Sequence, residues 1–444
     1  MIEFVKSVLS VNDNTELRDK DDVDSNDKIP TTKPPNDVKL LNQGTYGCVF
    51  RPGVNCSGKQ LTTKKYITKV QKHRKTSIHE TIIGKIIREI PGNSRYYAPV
   101  IETCDVKLSD LNDDTEVKKC NFIDTNANLR DKLYESNKIQ YIGKNSLVEY
   151  YKLQTNKINK TSSYFKKIIN SHITLLRGVS KLNDANIIHF DMKENNVMCR
   201  DKSGHPVLID FGMSINIENI ATPEFPVADT FFTYGVTYAP WCIDIILINR
   251  MIGKRSQLGW RDEKPDQVDT KEVIQEYVNT NEGLLDILTE DQRNEYKKNI
   301  EVYIMHHIEG GLFNMPTRGI VYDELIKNIK SWDNYGTAMM YLMMLKLLNL
   351  TEYKTSIPFM KKYIDILTSV VLSTPDKRPT AHDTITEITK AMSKIARKEN
   401  VDASTSLKKD FRNPDNWKVR VENTLSMKKA SFETDAQLVK QKNE

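Results

Sequence analysis

No stretch of the chain runs to the about 20 apolar residues that a membrane-crossing helix needs. Its greasiest segment, Thr337 to Leu350, is shorter and carries Lys346. No membrane partner is expected. Among 444 residues the 18 glycines and 16 prolines are too few for a collagen-like chain, and no internal repeat stands out. Charge of one sign is also missing, since 65 Lys and Arg against 59 Asp and Glu leave +6 over the whole chain. A protein that tracks phosphates concentrates Lys and Arg on one face, so no specific nucleic acid is expected as a partner. Cysteine is scarce: Cys48, Cys56, Cys104, Cys120, Cys199 and Cys242 form no CxxC pair and no zinc spacing. Reduced thiols in a cytoplasmic protein are the expectation. The start, Met1 to Val11, is broken by Glu3 and Lys6 and reads poorly as a signal peptide.

Hydrophobic residues at 39% and charged residues at 28% describe a chain that can bury a core. Residues 1–37 are polar, with the cluster Arg18 to Asp22 and three prolines, and read as a disordered tail. Val38 to Val49 and Lys64 to Val70 are rich in β formers and split by Pro52, Gly53 and Gly58, which predicts a small antiparallel sheet. Thr76 to Ile90 sets five isoleucines on one helical stripe that stops at Pro91 and Gly92. Beyond Pro99 come a short strand, a polar insertion over roughly Asp105 to Lys138, and Ser146 to Tyr151, read as an apolar strand. From Tyr164 the pattern is mostly helical. A polar tail occupies 397–444. The class is α+β.

Three segments carry chemistry. Asn42 to Val49 places Gly44 and Gly47 on a strand–turn–strand, where backbone N–H groups can approach phosphate oxygens. Lys69 follows on the next strand. The second segment, Ile187 to Met198, delivers Asp191, then Lys193 and Asn196, from an apolar run. That order supplies a base, a cation for phosphate charge and a metal ligand around one transferring phosphoryl group. The third, Val207 to Gly212, is an apolar strand that presents Asp210, a carboxylate suited to Mg2+ beside phosphates.

Together these residues resemble the eukaryotic-type serine/threonine protein kinase family, in order along the chain from about Val38 to Ile395. The style of the chain and its run Gly44 to Phe50 are similar to kinases of large DNA viruses, for which host cytoplasm or the virion would be the setting. The resemblance implies a bilobal fold with a small β-rich lobe over 38–151 and a mainly helical lobe over 152–396. A helical insertion would occupy about 245–330 of the second lobe. It implies ATP with Mg2+, or Mn2+ in its place, and protein substrates. Asn42 stands where the family's first glycine would be, and Gly44, Gly47 and Val49 take the other loop positions. Lys69 resembles the phosphate-gripping lysine, Asp191 the catalytic aspartate, Lys193 the catalytic-loop lysine, and Asn196 and Asp210 the metal ligands. The partner of Lys69 is expected at Glu80; Glu89 is nearer the usual spacing but lies against Pro91 at the helix end. For the adenine, Leu41, Val49 and Met198 and the backbone of Glu149 and Tyr151 resemble the family's pocket and hinge.

Late in the chain, Asp333 before an apolar helix resembles the aspartate that supports the catalytic loop, and Pro375 to Thr380 the late arginine motif. Two departures matter. Phe190 replaces the arginine before the catalytic aspartate, and Trp241 stands where a glutamate would pair with Arg378. The segment from Met213 to Tyr238 has no Lys or Arg and carries Phe225, Phe231 and Phe232, so apolar packing is expected to hold it without phosphorylation. Lys193 two residues after Asp191 points to serine and threonine acceptors. A small-molecule kinase of the same fold and a pseudokinase scaffold are the alternatives; retention of Lys69, Asp191, Asn196 and Asp210 opposes the scaffold.

Overall fold

A computed structural model describes residues 39–43, 47–53, 56, 64–71, 74–107, 116, 118–121, 133–155, 162–220, 227, 230–231, 233–252, 259–309, 316–354 and 357–395. Both expected tails lie outside these, with Gly44, Phe225 and Phe232. The chain divides into two compact units. One is Met1–Ser10 with Thr389–Glu444, of which residues 389–395, the end of a helix, are described. The other, Val11–Ile388, holds everything below.

Five antiparallel strands make its sheet: β1 (Lys39–Gln43), β2 (Gly47–Arg51), β3 (Tyr66–Gln71), β4 (Val100–Lys107) and β5 (Leu133–Gln140), in the order β1-β2-β3-β5-β4. Alternation gives the sheet two cores on opposite faces. Cys48, Phe50, Val70, Val106, Cys120 and Tyr134 form one; Ala98, Val100, Ile139 and Val207 form the other. Helix α1 (Arg74–Glu89) buries Ile83 and Ile87, each worth roughly 1.5–3 kcal/mol. Gly47 is a glycine because a Cβ there would stand 2.2 Å from the Val70 carbonyl oxygen of β3. Strands β4 and β5 take in both ends of the stretch read as a polar insertion.

Four cysteines are not reduced thiols. Cys48 is bonded to Cys120 and Cys56 to Cys104, while Cys199 and Cys242 are free and buried. The pairs stand 72 and 48 residues apart, brought together by strand pairing that local spacing does not show. Disulfides persist where the surroundings are oxidising, which removes the argument for a reducing compartment. Around the first bridge, Leu40 N donates to Glu116 Oε2 at 2.9 Å and Asn121 N to Gln43 Oε1 at 3.2 Å. Residues 116, 120 and 121, between β4 and β5, therefore clip onto the β1–β2 hairpin.

The remainder is mostly helical. After β5, residues 141–144 lead to the two-residue strand β6 (Asn145–Ser146) and helix α2 (Leu147–Thr155). The long α3 (Ser162–Asp184) ends before β7 (Ile187–Ile188), and β8 (Val197–Cys199) pairs with β6 and with β9 (Pro206–Leu208). Helices α4 (Ile243–Ile252), α5 (Gln267–Thr280), α6 (Glu282–Ile287), α7 (Glu290–Glu309), α8 (Arg318–Ile326), α9 (Trp332–Leu347) and α10 (Pro358–Leu372) follow. Most of the described residues between 243 and 326 are helical. The class is α+β, a small antiparallel sheet followed by a mainly helical part, compatible with a bilobal kinase fold. Among the described residues no helix is long and apolar enough to cross a membrane.

Candidate active site

Strand β3 carries Lys69 opposite Asn137 on β5, and α1 delivers Glu80 to the same place. The Lys69 ammonium lies 3.1 Å from Glu80 Oε2 and 2.7 Å from Asp210 Oδ1. Glu80 also accepts from Gln71 Nε2 at 2.7 Å and Asn137 Nδ2 at 3.3 Å, whereas Glu89 is exposed. Burial alone would push the Lys69 ammonium down, but the carboxylates of Glu80 and Asp210 outweigh it and hold the group above its ordinary range. Burial lifts the carboxyl of Glu80, against the pull of Lys69. Burial would also lift Asp210, yet Lys69 overcomes it and holds that carboxyl below the carboxylate range. Asp210 is the firmly ionised partner.

The loop after β7 is set by the sealed carboxylate of Asp333 at the start of α9, which accepts from His189 N at 2.6 Å and Phe190 N at 2.9 Å. Burial raises Asp333, and these N–H donors oppose the rise. Phe190 and Asp210 both take left-handed backbone angles, φ 68° and 61°, a conformation that costs a side chain roughly 1–2 kcal/mol. The bonds from Asp333 and Lys69 hold them there. Asp191 is buried; its Oδ2 accepts from Lys193 Nζ at 2.8 Å and Asn196 Nδ2 at 2.8 Å. Its Oδ1 accepts from the phenol of Tyr238.

Phe190 sits among rings, with Trp241, Phe231 and Trp332 at centroid distances of 5.0, 5.9 and 6.1 Å. Trp241 Nε1 donates to the Phe190 carbonyl at 2.9 Å. Arg378 finds its carboxylate three residues beyond Trp241: Nη2 lies 2.9 Å from Asp244 Oδ2, both side chains fully enclosed. Asp244 also takes Trp332 Nε1 at 3.2 Å. A charged residue at the head of the apolar run Ile243 to Ile248 was the signal for this partner.

The adenine residues divide. Leu41 is exposed at a bulge of β1, and Val49 and Met198 are half-buried on β2 and β8. Gly47 begins β2, and Asn42 pairs with Val49. Glu149 and Tyr151 do not lie on a strand: both are in α2. Ser146 N donates to Glu149 Oε2 at 2.8 Å while Glu149 N reaches Ser146 Oγ at 3.5 Å. This reciprocal S-x-x-E cap starts the helix and uses the Glu149 backbone donor. The Tyr151 carbonyl accepts from the Tyr164 phenol at 3.1 Å. Neither backbone edge is left as a hinge. The link from sheet to helices is residues 141–144.

Asn196 turns its amide nitrogen to Asp191, so its carbonyl oxygen points away as a hard donor. Asp210 keeps 38% of its side chain exposed. Among the described residues no three His, Cys, Asp or Glu side chains cluster as metal ligands. Asp210 and Asn196 suit a Mg2+ that completes its shell with phosphate oxygens and water.

No family model matches the chain. Death-associated protein kinase 2 of mouse and of human are each 36% identical to it over 98 residues, 19% of this chain and 26% of theirs. The chain is therefore similar to a protein kinase over part of its length, and the match spans about a quarter of those relatives. The crystal structure of a Stt7 homolog from Micromonas algae, soaked with ATP, aligns with 80% of this chain and 93% of its own at a TM-score of 0.40 and 12% identity.

Proposed function

We propose that the protein is an ATP-dependent protein kinase that transfers the γ-phosphoryl group to serine and threonine hydroxyls. The observation that carries this reading is Lys69 on β3 reaching Asp210 at 2.7 Å across 141 residues of sequence, with Glu80 on its other side. A cation fixed between two carboxylates, beside a second cluster centred on Asp191, is the arrangement phosphoryl transfer requires. Lys69 holds nucleotide phosphates. Asp191 takes the proton of the acceptor hydroxyl, and Lys193, bonded to it, faces the charge that develops on the transferring group. Asn196 and Asp210 would hold Mg2+ or Mn2+, which neutralises phosphate charge when bound. Residues 141–144 take the place beside the adenine first given to Glu149 and Tyr151, with Leu41, Val49 and Met198 as its apolar walls. The Lys193 spacing supports aliphatic hydroxyls as acceptors.

Purified protein incubated with γ-labelled ATP, Mg2+ and dephosphorylated casein tests the reading. Labelled phosphoserine or phosphothreonine, lost in Asp191→Asn with ATP affinity kept, is the expected result. Asp210→Asn loses metal-dependent nucleotide binding as well. Equal transfer by wild type and Asp191→Asn overturns the assignment of the base, phosphotyrosine alone overturns the acceptor class, and label on a small molecule alone selects that alternative.

A further inference from the structure

The Tyr238 phenol stands on the oxygen that an acceptor hydroxyl needs. Asp191 Oδ2 is held by Lys193 and Asn196, each at 2.8 Å, and Oδ1 accepts from the Tyr238 O–H. A general base must lie within hydrogen-bond reach of the proton it removes, so an incoming hydroxyl competes with this phenol for the same carboxylate. The position is built. The Tyr238 ring packs edge-on against Trp241 at 5.3 Å, and the Lys193 ammonium lies 5.9 Å from its centroid. The backbone around it is tied down from the junction of α5 and α6: Asn281 Nδ2 donates to the Tyr238 carbonyl at 3.0 Å and to that of Val236 at 3.3 Å. Glu282 N donates to the Thr237 carbonyl at 3.1 Å. Asn281 is itself fixed, since its Oδ1 caps α6 by accepting from Leu284 N at 3.1 Å. The main chain is clamped while the Tyr238 side chain is half-buried, so the phenol can leave Asp191 by side-chain rotation alone.

We infer that Tyr238 is an acceptor-site residue: its hydroxyl occupies the acceptor's place on Asp191 until a protein hydroxyl displaces it. The inference rests on the kinase reading. Displacement has a defined signature. When the competent state is only partly populated, apparent affinity for the ligand that needs it falls by that fraction. Acceptor binding carries this penalty. ATP binding does not, because Lys69 and Asp210 lie outside the contact. The same phenol keeps water off Asp191 when no acceptor is bound.

Tyr238→Phe removes the hydroxyl and keeps the ring against Trp241, so the variant folds. Transfer from ATP to casein and ATP hydrolysis without acceptor are measured for wild type, Tyr238→Phe and Asp191→Asn. The expected result in Tyr238→Phe is an acceptor KM lowered by about ten-fold, as loss of one hydrogen bond to a charged group gives, with ATP KM unchanged and kcat not reduced. Acceptor-free hydrolysis rises several-fold. An unchanged acceptor KM overturns the inference and leaves the kinase reading standing. So does a lower kcat at constant KM, which makes Tyr238 a group that only orients Asp191. No transfer, no hydrolysis and no binding of a fluorescent ATP analogue by wild type overturns the kinase reading, and this inference with it.

Discussion

Lys69 and Arg378 are both buried cations paired with carboxylates, and their surroundings differ in one respect. Arg378 and Asp244 are sealed, each side chain at 0% exposure, with the Trp332 indole on Asp244, Ser331 on Arg378, and Arg378 Nε buried without a partner. Lys69 has two carboxylates, and the second, Asp210, keeps 38% of its side chain open. A closed pair cannot be reached by a ligand. An open one keeps charge within reach of a ligand. Exposure of one partner therefore separates a cation that braces from one that is available for chemistry.

Lys69→Met breaks the open side. Phosphoryl transfer is expected to fall about 10³-fold, as when one electrostatic donor at a transition state is removed, with thermal unfolding within a few degrees of wild type because Gln71 and Asn137 still hold Glu80. Arg378→Ala breaks the closed side and strands the Asp244 carboxylate, costing about 3–5 kcal/mol in denaturant unfolding. Pairing Arg378→Met with Asp244→Leu recovers most of that loss, whereas no apolar pair recovers transfer at Lys69 and Asp210.

A third buried titratable group sharpens the contrast, because His172 is held by a phenol where the two cations are held by carboxylates. Its Nδ1 bonds the Tyr363 phenol at 2.9 Å, its Nε2 is buried without a partner, and burial pushes it down to about 3. The unfolded chain takes this proton near pH 6.5 and the folded chain only near pH 3. Stability is full above pH 6.5 and falls as the pH drops toward 3, by about 1.4 kcal/mol for each unit. His172→Gln flattens that part of the profile. The smallest effect is expected where charge is absent. Phosphatase treatment leaves transfer unchanged, and Thr230→Ala or Thr233→Ala alters it less than two-fold; a large loss restored by phosphorylating either threonine refutes the apolar account.

Lys69, Asp191, Asn196 and Asp210 were legible because each sits in a short local pattern whose spacing chemistry constrains, and the structure joins Lys69 to Asp210 and Asp191 to Asn196. Glu80 over Glu89 followed from where the helix must stop. The hinge was misread because Leu147 to Tyr151 is a short apolar run that fits a strand or a buried helix equally. The arbiter, Ser146 with Glu149 three residues on, was present and unused. The partner of Arg378 was hidden by a shift of three residues from Trp241 to Asp244. Disulfides, the Asn281 clip and the phenol of Tyr238 on Asp191 are contacts across 48, 72, 43 and 47 residues, which no local pattern encodes.

The rings around Phe190 give the segment before Trp241 a particular weather. A clamp made of phosphate and arginine is screened as ionic strength rises. A box of Phe190, Phe231, Trp241 and Trp332 has no net charge for salt to screen. Hydrophobic contact weakens on cooling, so the box is firmest in warm solution at any salt concentration. Cold is what loosens it.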